Sequence, residues 1–238
     1  MLSSRAPFSG GGTMRIVVIG DIHRHPEHCR EIPALATCDY LLAHGDLSNL
    51  GGRGAAAHVI AVLRQFCPRV LAQAGNLDRR GADEFLTEEG INLHGRARLL
   101  AKDADRLIVI GLGGANRTPL FTPREFSEKE MARFLDEGLR QACELELAAG
   151  AAMPTLLLTH APPYGVVDRL RSGRHVGSKA VRAFIDEHQP TLCVCGHIHE
   201  AKGEDRLGAT AIFNPGAFAK GGWVDIQVKA GSVLARLF

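Results

Sequence analysis

Short apolar runs that stop at a glycine recur through the first third of the chain. They lie at 15–20, 40–45 and 69–75, and the segments between them are compatible with helices. Such runs predict strands that are buried on both faces, and their alternation with helices gives a βαβα order. Because open α/β folds bind ligands beyond the carboxyl ends of their strands, the residues after each glycine are candidates for chemistry.

The rest of the chain continues this mixture of helices and strands. Ser127 and Glu130 form a capping box that opens a helix to about residue 148. Core packing is predicted for its apolar stripe: Met131, Phe134, Leu135, Leu139, Ala142 and Leu147. The segment 84–93 predicts a helix followed by a short strand, and 181–188 a further helix.

More strands are predicted in the second half. They are expected at 106–114 and 155–160, in TLCVC before Gly196, and in the runs TAIFNPG, WVDIQV and SVLARLF. The last two runs predict an antiparallel pair joined across Lys229-Ala230-Gly231. No repeat or linker interrupts the pattern, so we expect one domain at 14–238 after a loose or disordered tail at 1–13.

Composition limits the classes of partner. Of 238 residues, 45% are hydrophobic and 23% are charged, enough for one sizeable core. The balance of 28 Lys and Arg against 26 Asp and Glu gives a net charge of +2, so no general attraction to nucleic acid is expected. There is no apolar run long enough for a membrane span. The six cysteines lack CxxC spacing and secretory context, which predicts a reducing, cytoplasmic compartment.

Metal-binding side chains follow the predicted strands in one order. They occur in Asp21-Ile22-His23, Gly45-Asp46, Gly75-Asn76-Leu77-Asp78, Thr159-His160, Gly196-His197 and Ile198-His199. Ligands spread this widely along the sequence cannot form a compact motif such as a zinc finger. They can instead converge at strand ends into a site for two divalent metal ions. Any single fragment is more simply a strand-to-loop turn in which Asp or Asn caps a helix. Six fragments in order, each behind an apolar run, favour the metal site.

Two of these fragments share a spacing. Asp21 and His23 are two residues apart, so at a strand end they share a face and can bind one ion together. His197 and His199 repeat the spacing.

The other three ligands supply different chemistry. Asp46 is the candidate bridge, because one carboxylate can bind two ions roughly 3.5–4 Å apart. Asn76 offers a carbonyl oxygen to a metal and an amide donor to a substrate oxygen. Asp46 and Asn76 are therefore the candidate catalytic residues, and His160 completes the imidazole set of the second ion.

With these motifs the chain resembles the calcineurin-like metallophosphoesterase family. The family pattern is Asp-x-His, Gly-Asp, Gly-Asn-His-Asp/Glu, a lone His and Gly-His-x-His, and the match extends from Asp21 to His199. THAPPYG, GRHVGSKA, CGHIHE and FNPGAF resemble a prokaryotic branch of small predicted phosphoesterases. The resemblance implies an α/β layered fold, a two-sheet β-sandwich flanked by helices, and hydrolysis of phosphate esters by metal-activated water.

The resemblance also implies a ligand set for each of two divalent ions. One set is Asp21, His23, Asp46 and His199, and the other is Asp46, Asn76, His160 and His197. Mixed imidazole and oxygen ligands suit manganese, iron or zinc better than calcium, and the sequence does not choose among the three.

One position departs from the family. The histidine that follows Gly-Asn, which protonates the leaving group or contacts the phosphate, is Leu77 here. Leucine can do neither. We therefore expect phosphodiesters or activated esters to be better substrates than alkyl monoesters.

A basic stretch lies between the last two motifs. Arg169, Arg171, Arg174 and Lys179 surround the glycine-rich segment 165–178, for which a solvated loop is the simpler interpretation. His175, with Arg174, is nevertheless a candidate substrate contact, because it can meet a phosphoryl oxygen or replace the acid absent at Leu77. The segments 115–125 and 165–178 are expected to shape specificity.

The alternative is an interaction scaffold that kept the fold and lost catalysis, as in a retromer subunit that resembles the family. Such proteins typically lose some of the metal-binding residues. All seven are present here, so the enzyme is favoured. A nuclease would carry a stronger basic groove. The expected partner is a small phosphate ester, and the oligomeric state stays open.

Overall fold

The computed structural model describes residues 12–119 and 121–238, so most of the predicted tail at 1–13 lies outside the described residues. The strands in this part of the chain are β1 Met14–Ile19, β2 Tyr40–Ala43, β3 Val70–Ala72, β4 Arg96–Lys102, β5 Asp105–Leu112, β6 Ala115–Asn116, β7 Glu125–Phe126, β8 Thr155–Thr159, β9 Leu192–Val194, β10 Gly203–Leu207, β11 Thr210–Asn214, β12 Val224–Lys229 and β13 Ser232–Leu237. The α-helices are α1 Arg53–Phe66, α2 Arg80–Glu88, α3 Glu128–Ala149 and α4 Lys179–His188.

Two large sheets contain most of the strands. The first sheet has the order β13-β12-β1-β2-β3, and the second has the order β10-β11-β9-β8-β5-β4. β1, β2 and β3 are parallel to one another, as are β5, β8 and β9. The predicted C-terminal hairpin is confirmed: β12 and β13 are antiparallel, and Ala230 and Gly231 turn between them with φ values of 47° and 77°.

Alternate residues of each strand face different apolar layers. On β1, Ile16 and Val18 pack in the cluster between the two sheets, whereas Val17 and Ile19 pack in the cluster that contains α1 and α2. On the second sheet, Ile110 faces the cluster that contains α3 and α4. Since both faces of each sheet are covered, strands need continuous apolar runs. This arrangement confirms the predicted two-sheet sandwich flanked by helices.

The longest helix begins as predicted. The side chain of Ser127 accepts a hydrogen bond from the backbone N–H of Glu130, and the capping box is complete. Met131, Leu135 and Ala142 are buried. The prediction was wrong for Leu147, which lies in the last turn of α3 and is 85% exposed. None of the helices in the described part of the chain is long and apolar enough to cross a membrane.

Some strand predictions need correction. The short strand expected after α2 is absent: Asn92 and His94 make only isolated bridges to Ala72 and Gly111. In contrast, β4, β10 and the two-residue strands β6 and β7 were not predicted. β4 and β10 lie at edges of the second sheet, where one edge of the strand has no partner and polar residues such as those of GEDRL replace the apolar run.

A buried amide joins the sheets below the strand ends. The Nε2 atom of Gln73 lies 3.1 Å from the carbonyl oxygens of both Leu112 and Leu158, and 3.3 Å from that of His44. The first two oxygens belong to β5 and β8 of the second sheet, whereas Gln73 follows β3 of the first. This contact fixes the carboxyl ends of both sheets side by side.

Candidate metal centre

The predicted ligands lie on loops at the carboxyl ends of parallel strands. In the first sheet, Asp21 and His23 follow β1, Asp46 follows β2 and Asn76 follows β3. In the second sheet, His160 follows β8 directly.

His197 and His199 follow β9, also in the second sheet, and their loop returns to the first. The backbone N–H of His197 donates to Oδ2 of Asp21 at 3.1 Å. The site is therefore assembled only where the two sheets meet.

One group of ligand atoms contains Asp21, His23 and His199, all within 4.8 Å of one another. Nε2 of His199 lies 3.0 Å from Oδ1 of Asp21 and 3.4 Å from Nε2 of His23. Two imidazole nitrogens and the oxygen of a buried carboxylate are thus close enough together to bind a single ion. Such a donor set suits a divalent transition-metal ion.

A second group contains Asp21, Asp46 and His160, with the same limit on the separations. Nε2 of His160 lies 2.8 Å from Oδ1 of Asn76 and 3.5 Å from Oδ1 of Asp46. Asp21 is common to both groups, although Asp46 was the predicted bridge. The ring of His197 lies beside this group, with its centroid 5.2 Å from that of His160.

Backbone strain is concentrated at these ligands. Asp21, His23, Asp46 and His197 have φ values of 51°, 50°, 47° and 66°, in the left-handed region that non-glycine residues rarely adopt. Each such residue costs on the order of 1–3 kcal/mol and persists only where the surrounding structure fixes it. Strain at four of the seven predicted ligands indicates a preorganised site.

Two glycines allow the loops to approach closely. A Cβ atom on Gly75 would lie 2.1 Å from the backbone nitrogen of Asp46 and 2.2 Å from its Oδ1 atom. Gly45 has a φ of 131°, and a Cβ there would lie 2.6 Å from Nδ1 of His160. Larger residues at either position would separate Asp46 from its neighbours.

The carboxylates and imidazoles of the centre alter each other's pKa values. Burial alone would lower the pKa of His160, but Asp46 and Asp21 outweigh burial and raise it to about 9. Burial alone would raise the pKa of Asp21, but His199 and His160 hold it well below its usual range. A divalent ion would replace these protons as the partner of the carboxylates.

Two histidines of the region favour the neutral form. Desolvation lowers the pKa of His197 to about 4, and the charge of His160 adds to the effect. His44 lies fully buried just after β2, and burial lowers its pKa to about 4. A neutral imidazole is the form that binds metals.

Supporting residues were not predicted. Buried Asp78 accepts hydrogen bonds from the backbone N–H groups of Leu47, Ser48 and Gly75, each at 2.9 Å, and so joins the loops of Asp46 and Asn76. Its position in the Gly75–Asp78 motif was a signal for this role.

Two further contacts lie around the ligands. Asn49 Oδ1 lies 2.7 Å from Nδ1 of His23, and Asn76 Nδ2 donates to Thr122 at 3.0 Å. Partners of this kind orient metal ligands. Neither residue carries a signal in the sequence, because contacts between loops depend on the fold.

A cavity of about 580 Å³ adjoins the centre. Asn76 and His197 line it on the side of the metal ligands, and its other walls include Arg117, Tyr164, Arg174, His175 and Lys179. Both segments predicted to shape specificity contribute to the lining. Of the four basic residues in the second stretch, Arg174 and Lys179 line the cavity, whereas Arg169 hydrogen-bonds within its loop and Arg171 pairs with Glu200.

A layered sandwich with carboxylate and imidazole ligands at its strand ends defines a class of metal-dependent phosphoesterases. The chain belongs to the calcineurin-like phosphoesterase family, whose sequence profile matches residues 14–201. Membership implies a metal-dependent hydrolase of phosphoric esters.

Individual relatives agree with this placement. An uncharacterized protein of Methanocaldococcus jannaschii is 31% identical over 209 residues, which are 85% of this chain and 88% of that protein. A UPF0046 protein of Caenorhabditis elegans is 26% identical over 237 residues, with coverages of 93% and 76%.

Solved structures share the fold. A Thermus thermophilus protein superposes with a TM-score of 0.67 at 18% identity, covering 94% of this chain and 98% of that one. A dimetal phosphatase from Danio rerio gives a TM-score of 0.57 at 11% identity, covering 93% and 98%.

Proposed function

We propose that the protein is a binuclear metal-dependent phosphoesterase that favours phosphodiesters over alkyl monoesters. The observation that carries the proposal is the meeting of Asp21, Asp46 and His160 from two different sheets, with ligand atoms within 4.8 Å. A structural core has no need to collect buried carboxylates and imidazoles at one point, because their desolvation is unfavourable unless a partner compensates it.

The proposed metal ligands follow the family pattern. Asp21, His23 and His199 would hold one ion, and Asn76, His160 and His197 would hold the other. Asp46 is assigned to both ions on the family pattern; its Oδ1 atom lies 3.5 Å from Nε2 of His160, and that histidine lowers the pKa of Asp46 against the effect of burial. Manganese, iron and zinc all suit this donor set.

When bound, two divalent ions lower the pKa of water and polarise a phosphoryl oxygen. The chain orients the ester around them. Asn76 directs its carbonyl oxygen toward His160 and its amide toward Thr122, which fixes the side chain where it lines the cavity. Arg174 and His175, which also line the cavity, are the proposed contacts for phosphoryl oxygens or for the rest of the ester.

The preference for diesters rests on Leu77. Its side chain is partly exposed beside Asp46 and can donate no proton to a departing oxygen. A diester carries one charge fewer than a monoester at neutral pH, so it depends less on cationic donors near the phosphate. An aryl leaving group is stable without protonation, whereas an alkoxide is not.

The experiment compares turnover of bis-p-nitrophenyl phosphate and p-nitrophenyl phosphate by metal-stripped protein before and after addition of manganese, iron or zinc. Asp46→Asn is the test variant, and Asp136→Asn, at an exposed position of α3, is the matched control. Diester hydrolysis that requires metal, persists in the control and falls at least about 10³-fold in Asp46→Asn is the expected result.

The alternative proposal is a metal-binding scaffold of the same fold. Binding of two ions without turnover of any ester would favour it over the enzyme. We further propose a reducing compartment such as the cytoplasm, in keeping with the free cysteines of the described residues, and a single domain at 14–238.

A further inference from the structure

A buried carboxylate and a histidine form a pair on the wall of the cavity. Asp168 is fully buried, and its Oδ1 atom lies 2.5 Å from Nδ1 of His175. Its Oδ2 atom accepts hydrogen bonds from the backbone N–H groups of Gly165, Val176 and Gly177 at 3.0, 3.1 and 2.8 Å. The loop therefore fixes the carboxylate, and the carboxylate fixes the imidazole ring.

The other ring nitrogen of His175 is left for a ligand. Because Nδ1 faces Asp168, Nε2 is the atom that a molecule in the cavity can meet. The side chain of His175 is 39% exposed, and its ring lies 6.0 Å from that of Tyr164 on the same wall. Asn76 and His197 line this cavity on the side of the metal ligands. The cavity that His175 lines is therefore the one beside the proposed metal ligands.

We propose, on the basis of the proposed function, that His175 is the catalytic acid for a leaving alcohol that occupies the cavity, and that Asp168 is its positioning residue. Water attacks phosphorus and releases a proton to solvent, and the bond between phosphorus and the ester oxygen breaks. The departing oxygen keeps the electron pair and takes the proton from Nε2 of His175, so the alcohol leaves neutral. Solvent returns a proton to the ring after the products leave.

The position of this acid restricts the substrate. Leu77 lies on the strand-end loop that follows β3, whereas His175 lies on the cavity-lining loop between β8 and α4. The oxygen that leaves is bonded to phosphorus whatever the size of the alcohol, so it must be turned toward His175 at the centre itself. An alcohol large enough to contact Tyr164 and Arg174 is held in that orientation, whereas a small alkyl group makes no such contacts. The substrate class is therefore a phosphodiester with a bulky leaving alcohol.

The test is a series of ethyl aryl phosphodiesters that share the ethyl group and differ in the acidity of the leaving phenol, from p-nitrophenol to phenol. Metal-loaded wild type, His175→Ala and Asp168→Asn are compared, with His188→Ala in α4 as the matched control. General acid catalysis contributes typically 10²–10⁴-fold. We expect His175→Ala to lower kcat/KM by about 10²-fold for the phenyl ester and by less than about threefold for the p-nitrophenyl ester.

Two additions separate a chemical role from a structural one. Imidazole in the buffer is expected to restore phenyl ester turnover in His175→Ala and to leave the wild type unchanged. Asp168→Asn is expected to make kcat/KM depend more steeply on leaving-group acidity, as His175→Ala does. Because this substitution also disturbs three backbone hydrogen bonds, the result for His175→Ala is the one that decides the test.

Equal losses for all esters in His175→Ala, or no loss for any, would overturn the role of His175 while leaving the phosphoesterase intact. If the wild type itself hydrolyses none of the series in the presence of metal, the proposed function fails first and this inference fails with it.

Discussion

The backbone N–H of Leu77 donates a hydrogen bond to Oδ1 of Asp46 at 2.8 Å. The residue that departs from the family pattern is therefore in contact with the proposed bridging carboxylate, but through its backbone alone. Leu77 also accepts a hydrogen bond from the N–H of Leu50 at 3.0 Å through its carbonyl oxygen. Since neither contact uses the side chain, a substitution there can change the chemistry without moving Asp46.

Leu77→His is predicted to raise the hydrolysis of alkyl phosphate monoesters by at least about tenfold, because it places a proton donor beside the phosphate. Turnover of p-nitrophenyl esters, whose leaving group needs no proton, should change by less than about threefold. Leu77→Gln, polar but unable to act as an acid, is the matched control. An equal gain for both variants would attribute the effect to polarity instead of proton donation.

Gly75→Ala is predicted to displace Asp46 and to destroy metal binding. The new methyl group would lie 2.1 Å from the backbone nitrogen of Asp46, an overlap that costs about 1–3 kcal/mol of folding free energy. Gly54→Ala, in α1 with open space around its Cα, is the control and should stabilise the protein by about 0.5–1 kcal/mol. Denaturant unfolding and metal analysis check both variants. Full metal content in Gly75→Ala would contradict the close approach.

The identity of the bridging ligand can be decided by metal stoichiometry. If Asp46 is shared, Asp46→Asn should weaken the binding of both ions. His23→Ala should weaken the binding of one ion and leave the other bound. Asp21 belongs to both groups of ligand atoms, so Asp21→Asn is the informative comparison. Loss of both ions from Asp21→Asn, with one retained in Asp46→Asn, would reassign the bridge to Asp21.

His94 is predicted to reduce stability in acid. Burial and the nearby Arg124 lower its pKa from 6.5 to about 4, and its Nδ1 atom accepts a hydrogen bond from the N–H of Gly113. Between these two pH values the unfolded chain binds more protons than the folded one, so stability is lost as the pH falls from 6.5 through 4. The full effect is at most about 3 kcal/mol.

His94→Gln keeps an acceptor for Gly113 but does not titrate in this range. Urea unfolding of wild type and variant from pH 7 to pH 4 isolates the contribution of His94, because other groups affect both curves equally. As the pH falls, the unfolding free energy of the wild type should decrease more than that of the variant. Parallel curves would show that His94 titrates alike in the folded and unfolded chains.

Much of the fold follows from local patterns. Runs such as RIVVIG predict β1 because a strand between two covered faces needs apolar residues at every position. The same argument misses β4, in which Arg96 and Arg98 alternate with Ala97 at a sheet edge. An edge strand is defined by the neighbour with which it pairs, so the composition of β4 alone does not reveal it.

The ligands of the candidate site were predictable for a different reason. Few functions other than metal binding require both carboxylates and imidazoles directly after glycines that end strands. Their order along the chain is therefore informative. Asp168 is not visible in this way: it is one acidic residue in a loop, and its role depends on the return of the chain through Gly177. Contacts of this kind need the fold before they can be recognised.

The place of β1 in the first sheet has a consequence for synthesis of the protein. β1 lies between β2 and β12, and the N–H of Phe218 reaches back to the carbonyl oxygen of Asp21. At about 5–20 residues per second, a ribosome makes β12 roughly 10–40 s after β1. During that interval one edge of the nascent strand has no partner and can pair with other chains. The first metal ligand to be made is thus among the last to be fixed in place.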